Sequence, residues 1–344
     1  MAPLAPVDGD TTVPEAAVAA RARTFPPLAR FLLTAVVKLV LSLVAISLII
    51  FIASSAIPGD PARAILGKQA TASQIAAFRQ QHGLDEAPLT QYRSFIGDAV
   101  RGDFGVSYAA DRPVQDVIGQ RLGRTLMLVL IGWVAAGVVA IPIGIASGKR
   151  RGRRSDLAVS FATLAVGALP EFVIGILLVL VFGVWLKVLP VDSSAVGFAA
   201  NPFAAASSYV LPAATVALTI VPYVVRLTRA NAREVVSEPY IRSAVLRGVS
   251  GWRLTNHHIL PNAAPPVVNV LALQFVGSIG GIVVTETVFG FPGLGLLLVQ
   301  SVGTRDLPVV QAIALILGVF FVVVNIVADA VVIWLTPKLR GAGR

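Results

Sequence analysis

The side chains best suited to chemistry in this chain lie in a basic stretch, residues 226–261, which carries six Arg against two Glu. Guanidinium groups form strong, directional pairs with carboxylates, so such a stretch can bind an acidic partner surface. The residue types predict two short helices, the first opened by Pro239 and followed by Gly248, the second capped by Ser250. A docking surface for a partner protein and a solvated basic loop both remain open as interpretations.

Residue types needed for catalysis or for metal binding are scarce. The chain has no Cys, and its three His residues are His82, His257 and His258. The lack of Cys excludes disulfides, thiol catalysis and thiolate metal sites. The sequence has neither an HExxH nor a GxSxG pattern, and no GxxxxGK[ST] loop that could cradle a nucleotide phosphate. We therefore predict no catalytic residue, no metal site and no cofactor bound by this chain.

The composition places the chain in a membrane. Hydrophobic residues make up 56% of it and charged residues only 13%, with a mean hydropathy of +0.81. Charged residues are about a quarter of an ordinary soluble domain. The net charge of +10 comes largely from short basic loops beside apolar runs, where Lys and Arg set membrane topology. We therefore interpret the charge as a topology signal and expect no nucleic-acid partner.

Six apolar runs are long enough to cross a bilayer, for which a helix needs about 20 residues. The predicted spans are Phe31–Ile57, Thr125–Ser147, Leu157–Leu186, Tyr209–Val225, Val267–Thr285 and Leu307–Leu335. The third span is expected to tilt or to bend at Pro170. The fold class predicted from this pattern is an all-α membrane protein with six transmembrane helices.

The segments around these spans predict the organisation of the chain. It is divided into a disordered cytoplasmic tail at 1–30, a first transmembrane helix at 31–57, an extracytoplasmic segment at 58–124, a transmembrane core at 125–336 that includes the basic stretch, and a cytoplasmic tail at 337–344. With both termini in the cytoplasm, the short outer loops hold only Lys187 and Arg305 as basic residues. That asymmetry agrees with the positive-inside rule.

The basic stretch resembles the coupling loop of ABC-importer permeases, which reads Glu-Ala-Ala, three residues, Gly, nine residues, Ile, one residue and Leu-Pro. Arg242, Ser243 and Ala244 occupy the Glu-Ala-Ala positions, and Tyr240 lies two residues before them. Gly248 is the Gly, His258 falls at the Ile, and Leu260 and Pro261 close the pattern. The departures are Arg242 for Glu, Ser243 for Ala and His258 for Ile. The branch of the family that imports dipeptides, oligopeptides and nickel tolerates a basic residue at the first position and often has Tyr shortly before it.

A second signature of the same branch lies between the last two spans. It resembles Glu-Thr-x-Phe-x-hydrophobe-Pro-Gly-hydrophobe-Gly, followed by Arg-Asp-aromatic-Pro. The matching residues are Glu286, Thr287, Phe289, Pro292, Gly293, Leu294, Gly295, Arg305, Asp306 and Pro308. Leu307 replaces the aromatic residue. With further motifs in the segment 58–124, the resemblance covers about residues 31–340.

The resemblance implies a type I ABC-importer permease fold in the lipid bilayer of a prokaryotic cell membrane. Its implied partners are a second homologous permease, two ATPase subunits or one two-headed ATPase, and an extracytoplasmic substrate-binding protein. ATP and Mg would bind the ATPase partners. The implied function is to form half of the translocation path for short peptides. Nickel chelates, glutathione-like peptides and oligosaccharides stay open as cargo, and an ion- or proton-coupled secondary transporter or channel is the alternative.

The resemblance also implies roles for single residues of the basic stretch. It places the ATPase contact on Tyr240–Gly248 and the following turn. Arg242 and Arg247 lie five residues apart and so do not share one stripe of a helix; we favour Arg242 as the partner of an ATPase carboxylate. Leu260-Pro261 are expected to end the second helix and to orient the fifth span.

The second signature is expected to form an outer gate. Proline and glycine predict an irregular, helix-breaking element over residues 286–308. Its expected gate residues are Glu286, Phe289, Pro292, Gly293, Gly295, Arg305 and Asp306. Within the spans, Glu171 and Gln274 are candidates to line the path, although a structural role for each stays open.

Overall fold

Helices account for most of the chain that the structure, a computed structural model, describes: residues 27–56, 59–150, 152–194 and 202–335. In chain order they are α1 Pro27–Ser55, α2 Pro61–Leu66, α3 Ala72–Gln81, α4 Pro88–Val100, α5 Val114–Lys149, α6 Arg154–Gly167, α7 Glu171–Leu178, α8 Pro202–Ser237, α9 Pro239–Leu246, α10 Gly251–Leu254, α11 Leu260–Val288, α12 Leu294–Thr304 and α13 Leu307–Leu335. Two π-helices, Val179–Trp185 and Thr255–Ile259, follow α7 and α10. These ranges contain no β-strand, so the all-α prediction is confirmed.

Five of the described helices are long and apolar enough to cross a membrane. The qualifying stretches are Val36–Ser55, Val114–Lys149, Ala206–Ser237, Gly251–Val288 and Leu307–Ala328. A sixth crossing is divided between Arg154–Gly167 and Glu171–Trp185, which meet at an angle of 105°. The break lies at Pro170, whose ring and missing N–H oppose a continuous helix. The bend predicted there is confirmed.

Helices α5 and α8 form the centre of the bundle because small residues let them approach closely. A Cβ added to Gly132 of α5 would lie 2.7 Å from the Cβ of Val216 of α8. One added to Gly148 would lie 2.8 Å from the Cβ of Ala232. In lipid, close van der Waals packing of this kind drives helix association. Helix α11 adds Val267 and other buried residues to the same apolar core.

The segment between α1 and α5 contains three short helices, two of which are capped by side chains. Asp60 accepts the N–H of Ala62 at 3.0 Å, and Thr71 and Gln74 form a reciprocal capping box. Helix α5 begins at Val114, eleven residues before the predicted start of the second span. Hydropathy marks the part of a helix that can lie in lipid, whereas the helix itself continues through polar residues that do not interrupt it.

Two predicted boundaries near the basic stretch are wrong. Helix α8 runs to Ser237 and does not stop at Val225. Leu260-Pro261 do not end a helix, because α10, the π-helical turn and α11 form one helix from Gly251 to Val288. The π-helical turn directly before Pro261 shifts the hydrogen-bond register, which lets the helix accommodate a residue without an N–H.

The return between α11 and α13 is more regular than predicted. Residues 289–293 and 305–306 are non-helical, and Leu294–Thr304 is an 11-residue helix. Pro292 and Gly293 precede this helix and Gly295 lies in its first turn, so none of them interrupts it. At 1.5 Å per residue α12 is about 16 Å long, too short to cross a hydrocarbon core of about 30 Å.

The ends of the chain lie largely outside the described residues. Of the predicted N-terminal tail, only residues 27–30 are described, and they open α1. The predicted C-terminal tail, 337–344, is outside the described ranges. The sixth predicted span coincides with α13, so that prediction is confirmed.

Candidate functional site

Helix α9 is held against the bundle by two side chains on one face. Ile241 is 3% exposed and Ala244 is 0% exposed. Ile241 belongs to a small core with Ile145 of α5 and Ile259 of the π-helical turn. Pro239 lies in the first turn of α9, where its missing N–H forfeits no helical hydrogen bond. The burial of positions i and i+3 fixes the orientation of α9 and leaves its other face free.

That free face and the start of α10 form an exposed surface, here called the coupling surface. It consists of Tyr240, Arg242, Ser243, Leu246, Arg247, Trp252 and Arg253. Leu246 is 81% exposed and Trp252 77% exposed, although both side chains are large and apolar. The three arginines have no ion pair within the described residues. Apolar anchors among guanidinium groups are typical of protein docking sites.

Sequence reasoning singled out Arg242 and Arg247 of the coupling surface but missed Arg253, Leu246 and Trp252. The available signal was weak, because Leu246 and Trp252 are two of several apolar residues in this stretch. Arg242 lies on α9 and Arg247 directly follows it, and both side chains are exposed. That Arg242 pairs with an ATPase carboxylate stays a prediction.

The chain reverses between α9 and α10 through Gly248, which has φ +84°. The N–H of Gly248 donates to the C=O of Val245 at 2.9 Å, and the N–H of Val249 donates to the C=O of Ala244 at 3.1 Å. This pair of bonds is a Schellman motif, whose C′ residue is left-handed and usually Gly. The predicted C′ position of Gly248 is confirmed. A Cβ there would meet no atom within 4 Å, so only the backbone conformation demands glycine.

A buried carboxylate holds the loop between α5 and α6, which lies at the same end of the bundle as the coupling surface. Asp156 of α6 is 1% exposed and accepts from Arg229 at 2.5 and 3.0 Å, and also from Arg233. The hydroxyl of Ser147 donates to it at 2.6 Å and the N–H of Gly152 at 3.2 Å. Asp156 therefore joins α5, α6 and α8. Sequence reasoning missed this cluster, for which one acid among basic residues was the only signal.

At the opposite end of the bundle, Glu286 is 0% exposed and caps α12 from a neighbouring helix. Its carboxylate accepts the hydroxyl of Thr125 and the N–H of Gly295, both at 2.6 Å, and the N–H of Leu296 at 3.1 Å. The N–H of Leu294 donates to the Thr125 hydroxyl oxygen at 2.8 Å. The first N–H groups of a helix have no partner inside it. Glu286 and Thr125 supply those partners.

Glycine makes this close approach possible. A Cβ on Gly293 would overlap the Glu286 carboxylate, and one on Gly295 would lie 2.6 Å from the Cα of Val283. Phe289, another expected gate residue, is 1% exposed and packs in the core of the bundle. Four of the expected gate residues are therefore buried within this chain: Glu286, Phe289, Gly293 and Gly295. Pro292 is half-buried.

The far end of α12 is fastened by a second carboxylate. Asp306 is 2% exposed and accepts the hydroxyl of Ser107 at 2.5 Å and the N–H groups of Tyr108 and Ala109 at 3.0 and 3.2 Å. Arg305, left-handed at φ +59°, ends α12 just before it. Burial, together with the charge of Asp306, raises the pKa of Tyr108 to about 12. Asp306 thus joins the segment between α4 and α5 to the start of α13.

The two candidate path residues lie along one face of α11. Glu171 opens α7, and its carboxylate accepts the hydroxyl of Thr285 beside Gly281. Gln274, Gly281 and Thr285 follow each other at intervals of seven and four residues, which places them on one helical face. The side chains of Glu171 and Gln274 are half-buried. A path lined by both stays a prediction.

Two family models account for most of the chain and include both ends of the bundle. Residues 140–341 match the binding-protein-dependent transport system inner membrane component, and residues 28–129 match the N-terminal model of the same membrane component. The chain belongs to this permease family. The matched ranges contain the coupling surface and all of α12 with both of its carboxylates, and they confirm the type I permease fold.

Relatives of this permease extend over nearly its whole length. The glutathione transport system permease protein GsiC of Escherichia coli K12 is 38% identical over 306 residues, covering 88% of this chain and 96% of the relative. GsiC of Salmonella paratyphi A is 36% identical over 314 residues, covering 90% and 98%. GsiC of Shigella flexneri serotype 5b is 37% identical over 306 residues, covering 88% and 96%. The resemblance to ABC-importer permeases of the peptide branch is confirmed.

Proposed function

We propose that this permease forms half of the transmembrane path of an ATP-driven importer of short peptides. A second homologous permease completes the path, and an extracytoplasmic protein delivers the cargo. ATP and Mg²⁺ bind to two ATPase subunits or to one two-headed ATPase. The glutathione named for the relatives is itself a tripeptide, which supports a cargo of peptide size and polarity.

The observation that carries this proposal is the coupling surface. A membrane subunit without a nucleotide site must receive work through contact with its ATPase. Leu246 and Trp252 offer apolar anchors, and the guanidinium groups around them can pair with carboxylates. On the buried side, Ile241 contacts the core that includes Ile259, directly before α11. A displacement of α9 would therefore reach α11, the helix that carries Gln274.

The sidedness of the molecule follows from its basic residues. The coupling surface and the loop fastened by Asp156 lie at one end of the bundle, where Lys149 donates to the hydroxyl oxygen of Thr255 at 2.7 Å. Basic loops stay in the cytoplasm. We therefore place this end and both termini in the cytoplasm, and α2–α4 with α12 outside.

Replacing Gly248 tests the coupling assignment. Gly248→Val should abolish peptide uptake and leave the chain in the membrane, because the left-handed conformation strains a β-branched residue while no atom crowds its side chain. ATP hydrolysis by the assembled complex should no longer respond to the binding protein, or the ATPase subunits should dissociate. Gly152→Val is the matched control: Gly152 is also left-handed, at φ +75°, but lies in the other loop.

Three outcomes would contradict the proposal. The first is normal uptake with Gly248→Val, or an equal loss with the Gly152→Val control. The second is cross-linking of the ATPase subunits to residues 148–156 but never to 238–250. The third is peptide uptake into proteoliposomes driven by an ion gradient without ATP, which would favour a secondary transporter.

A further inference from the structure

A cavity of about 370 Å³ lies between α1, the α3–α4 turn, the loop after α4 and the start of α13. Four aromatic side chains line it: Phe51 of α1, Phe95 of α4, and Phe104 and Tyr108 of the loop. None of its lining residues belongs to α5, α8 or α11. The cavity is therefore separate from the face of α11 that carries the candidate path residues.

The charge of this cavity is opposite to that of the chain. Glu86, Asp98 and Asp103 line it and no Lys or Arg does, although the chain has a net charge of +10. Asp98 forms a long ion pair with Arg101 at 3.4 Å. Asp103 accepts the N–H of Gly105 at 2.9 Å. The carboxylate of Glu86 has no hydrogen bond or ion pair within the described residues.

A histidine also lines the wall. The ring of His82 packs against those of Phe78 and Tyr108, with centroid distances of 4.3 and 4.5 Å. Burial lowers the pKa of His82 from its ordinary value, which disfavours a positive charge there. Aromatic faces beside carboxylates form an environment that proteins use to bind ammonium groups.

A second cavity, of about 470 Å³, adjoins the first and shares Leu84, Glu86, Gln91 and Leu307 with it. Arg79 and Arg305 line this second cavity. Arg79 also pairs with Asp60 at 3.3 Å and Asp85 at 2.7 Å. An acidic, aromatic chamber thus opens into one lined by the guanidinium groups of Arg79 and Arg305 and by the carboxylate of Asp60. These guanidinium groups can donate to the carbonyl oxygens of a short peptide.

We propose that these two cavities, together called the outer site, bind a short peptide by its N-terminal end, outside the translocation path. The α-ammonium lies at the carboxylate of Glu86, the first side chain lies among Phe95 and Phe104, and the remainder extends toward Arg79. Each cavity is within the range of about 300–1,000 Å³ typical of small-ligand sites. That the ammonium belongs to a peptide rests on the proposed function. That the site recognises an ammonium beside an apolar group rests only on the residues that line the cavities.

The test uses the complex of both permeases and the ATPase subunits in lipid nanodiscs, with the binding protein omitted. Phenylalanyl-alanine amide, which has a free amine, is compared by calorimetry with its N-acetyl derivative. We expect the acetylated probe to bind at least tenfold more weakly, because acetylation removes the charge. Glu86→Gln should weaken binding of the amine about tenfold. Phe95→Leu should weaken it severalfold, because it replaces an aromatic ring with an aliphatic side chain of similar size.

Asp116→Asn is the matched control, since Asp116 is an exposed acid in the first turn of α5 that lines neither cavity. Assembly of each variant is verified by size exclusion before binding is measured. Equal binding of the two probes, or unchanged binding in both Glu86→Gln and Phe95→Leu, would overturn the outer site. So would amine binding seen only with the binding protein present, because it would place the ammonium site on that protein.

Transport separates this inference from the proposed function. Uptake of the same dipeptide amide into proteoliposomes is measured with ATP and the binding protein. Uptake without binding at the outer site would contradict the outer site and support the proposed importer. Binding without ATP-dependent uptake would support an ammonium site and contradict the proposed import of peptides.

Discussion

The two motif-rich stretches of this permease lie at the coupling surface and in the segment around α12, residues 286–308. The polar residues of these two regions differ in their burial. On the coupling surface, Arg242 and Arg247 are exposed and unpaired within the described residues. Around α12, Glu286 and Asp306 are buried, and each accepts three hydrogen bonds. One region leaves its polar groups exposed, and the other uses them in its own hydrogen bonds.

The difference has a physical basis in burial. An exposed guanidinium group is hydrated and can exchange water for a partner's carboxylate at little cost. A buried carboxylate is tolerated only when hydrogen bonds satisfy it. Changes around α12 should therefore act on stability, whereas changes on the coupling surface should act on assembly.

The largest expected effect is that of Glu286→Ala. It leaves the N–H groups of Gly295 and Leu296 and the hydroxyl of Thr125 without their acceptor. Each unsatisfied buried group costs about 1–3 kcal/mol, and two of the three are fully buried. The variant should therefore lose at least about 2 kcal/mol and unfold at a clearly lower temperature in detergent. Glu234→Ala, at an exposed position on α8, is the control. Equal melting temperatures for the two variants would break the comparison.

An intermediate effect is expected for Asp306→Asn. The amide keeps only one acceptor oxygen and carries no charge, so its NH2 group faces either the hydroxyl of Ser107 or the N–H of Tyr108, at a cost of about 1–3 kcal/mol. The loop should open more often, so that a Val114→Cys label site, which is buried beside the closed loop, reacts faster with an impermeant maleimide in this cysteine-free chain. Asp103→Asn, which alters one exposed loop bond, should leave the rate unchanged. A rate that does not respond to Asp306→Asn would show that the carboxylate does not hold the loop.

The smallest effect on stability is expected for Leu246→Ala and Trp252→Ala. Both side chains are exposed, and surface substitutions usually change stability by less than about 0.5 kcal/mol. Co-purification of the ATPase subunits should nevertheless fall at least tenfold, because hot-spot anchors often contribute about 2 kcal/mol or more to binding. Val100→Ala, at an 84% exposed position on α4, is the matched control. Undiminished co-purification with both variants would remove these residues from the interface.

Local sequence predicted the elements whose cause is local. The apolar runs predicted the membrane helices, and α13 has the predicted bounds. Pro170 predicted the bend in the third span, because the ring of proline acts on its own backbone. Pro239 and Gly248 predicted the start and the end of α9 for the same reason.

Helix extent outside the lipid was not predictable from hydropathy. The apolar pattern ends at Val225, yet α8 continues for another three turns as a polar helix whose Ala232 packs against α5. Helix α12 was hidden by Pro292 and Gly293, which disfavour a helix in their own neighbourhood. It forms because a distant glutamate satisfies its first N–H groups.

Only the tertiary structure decided the roles of the buried carboxylates. Glu286 meets Thr125 across 161 positions of sequence, and Asp306 meets Ser107 across 199. From the sequence alone, a gate role was expected for Glu286 and Asp306. Asp156 lies in a basic stretch and has the context of a solvent-exposed residue. Their hydrogen bonds depend on which helices pack together. That packing is set by the close contact of small residues such as Gly132 and Gly148 with α8, and it leaves no pattern in the residues that surround each carboxylate.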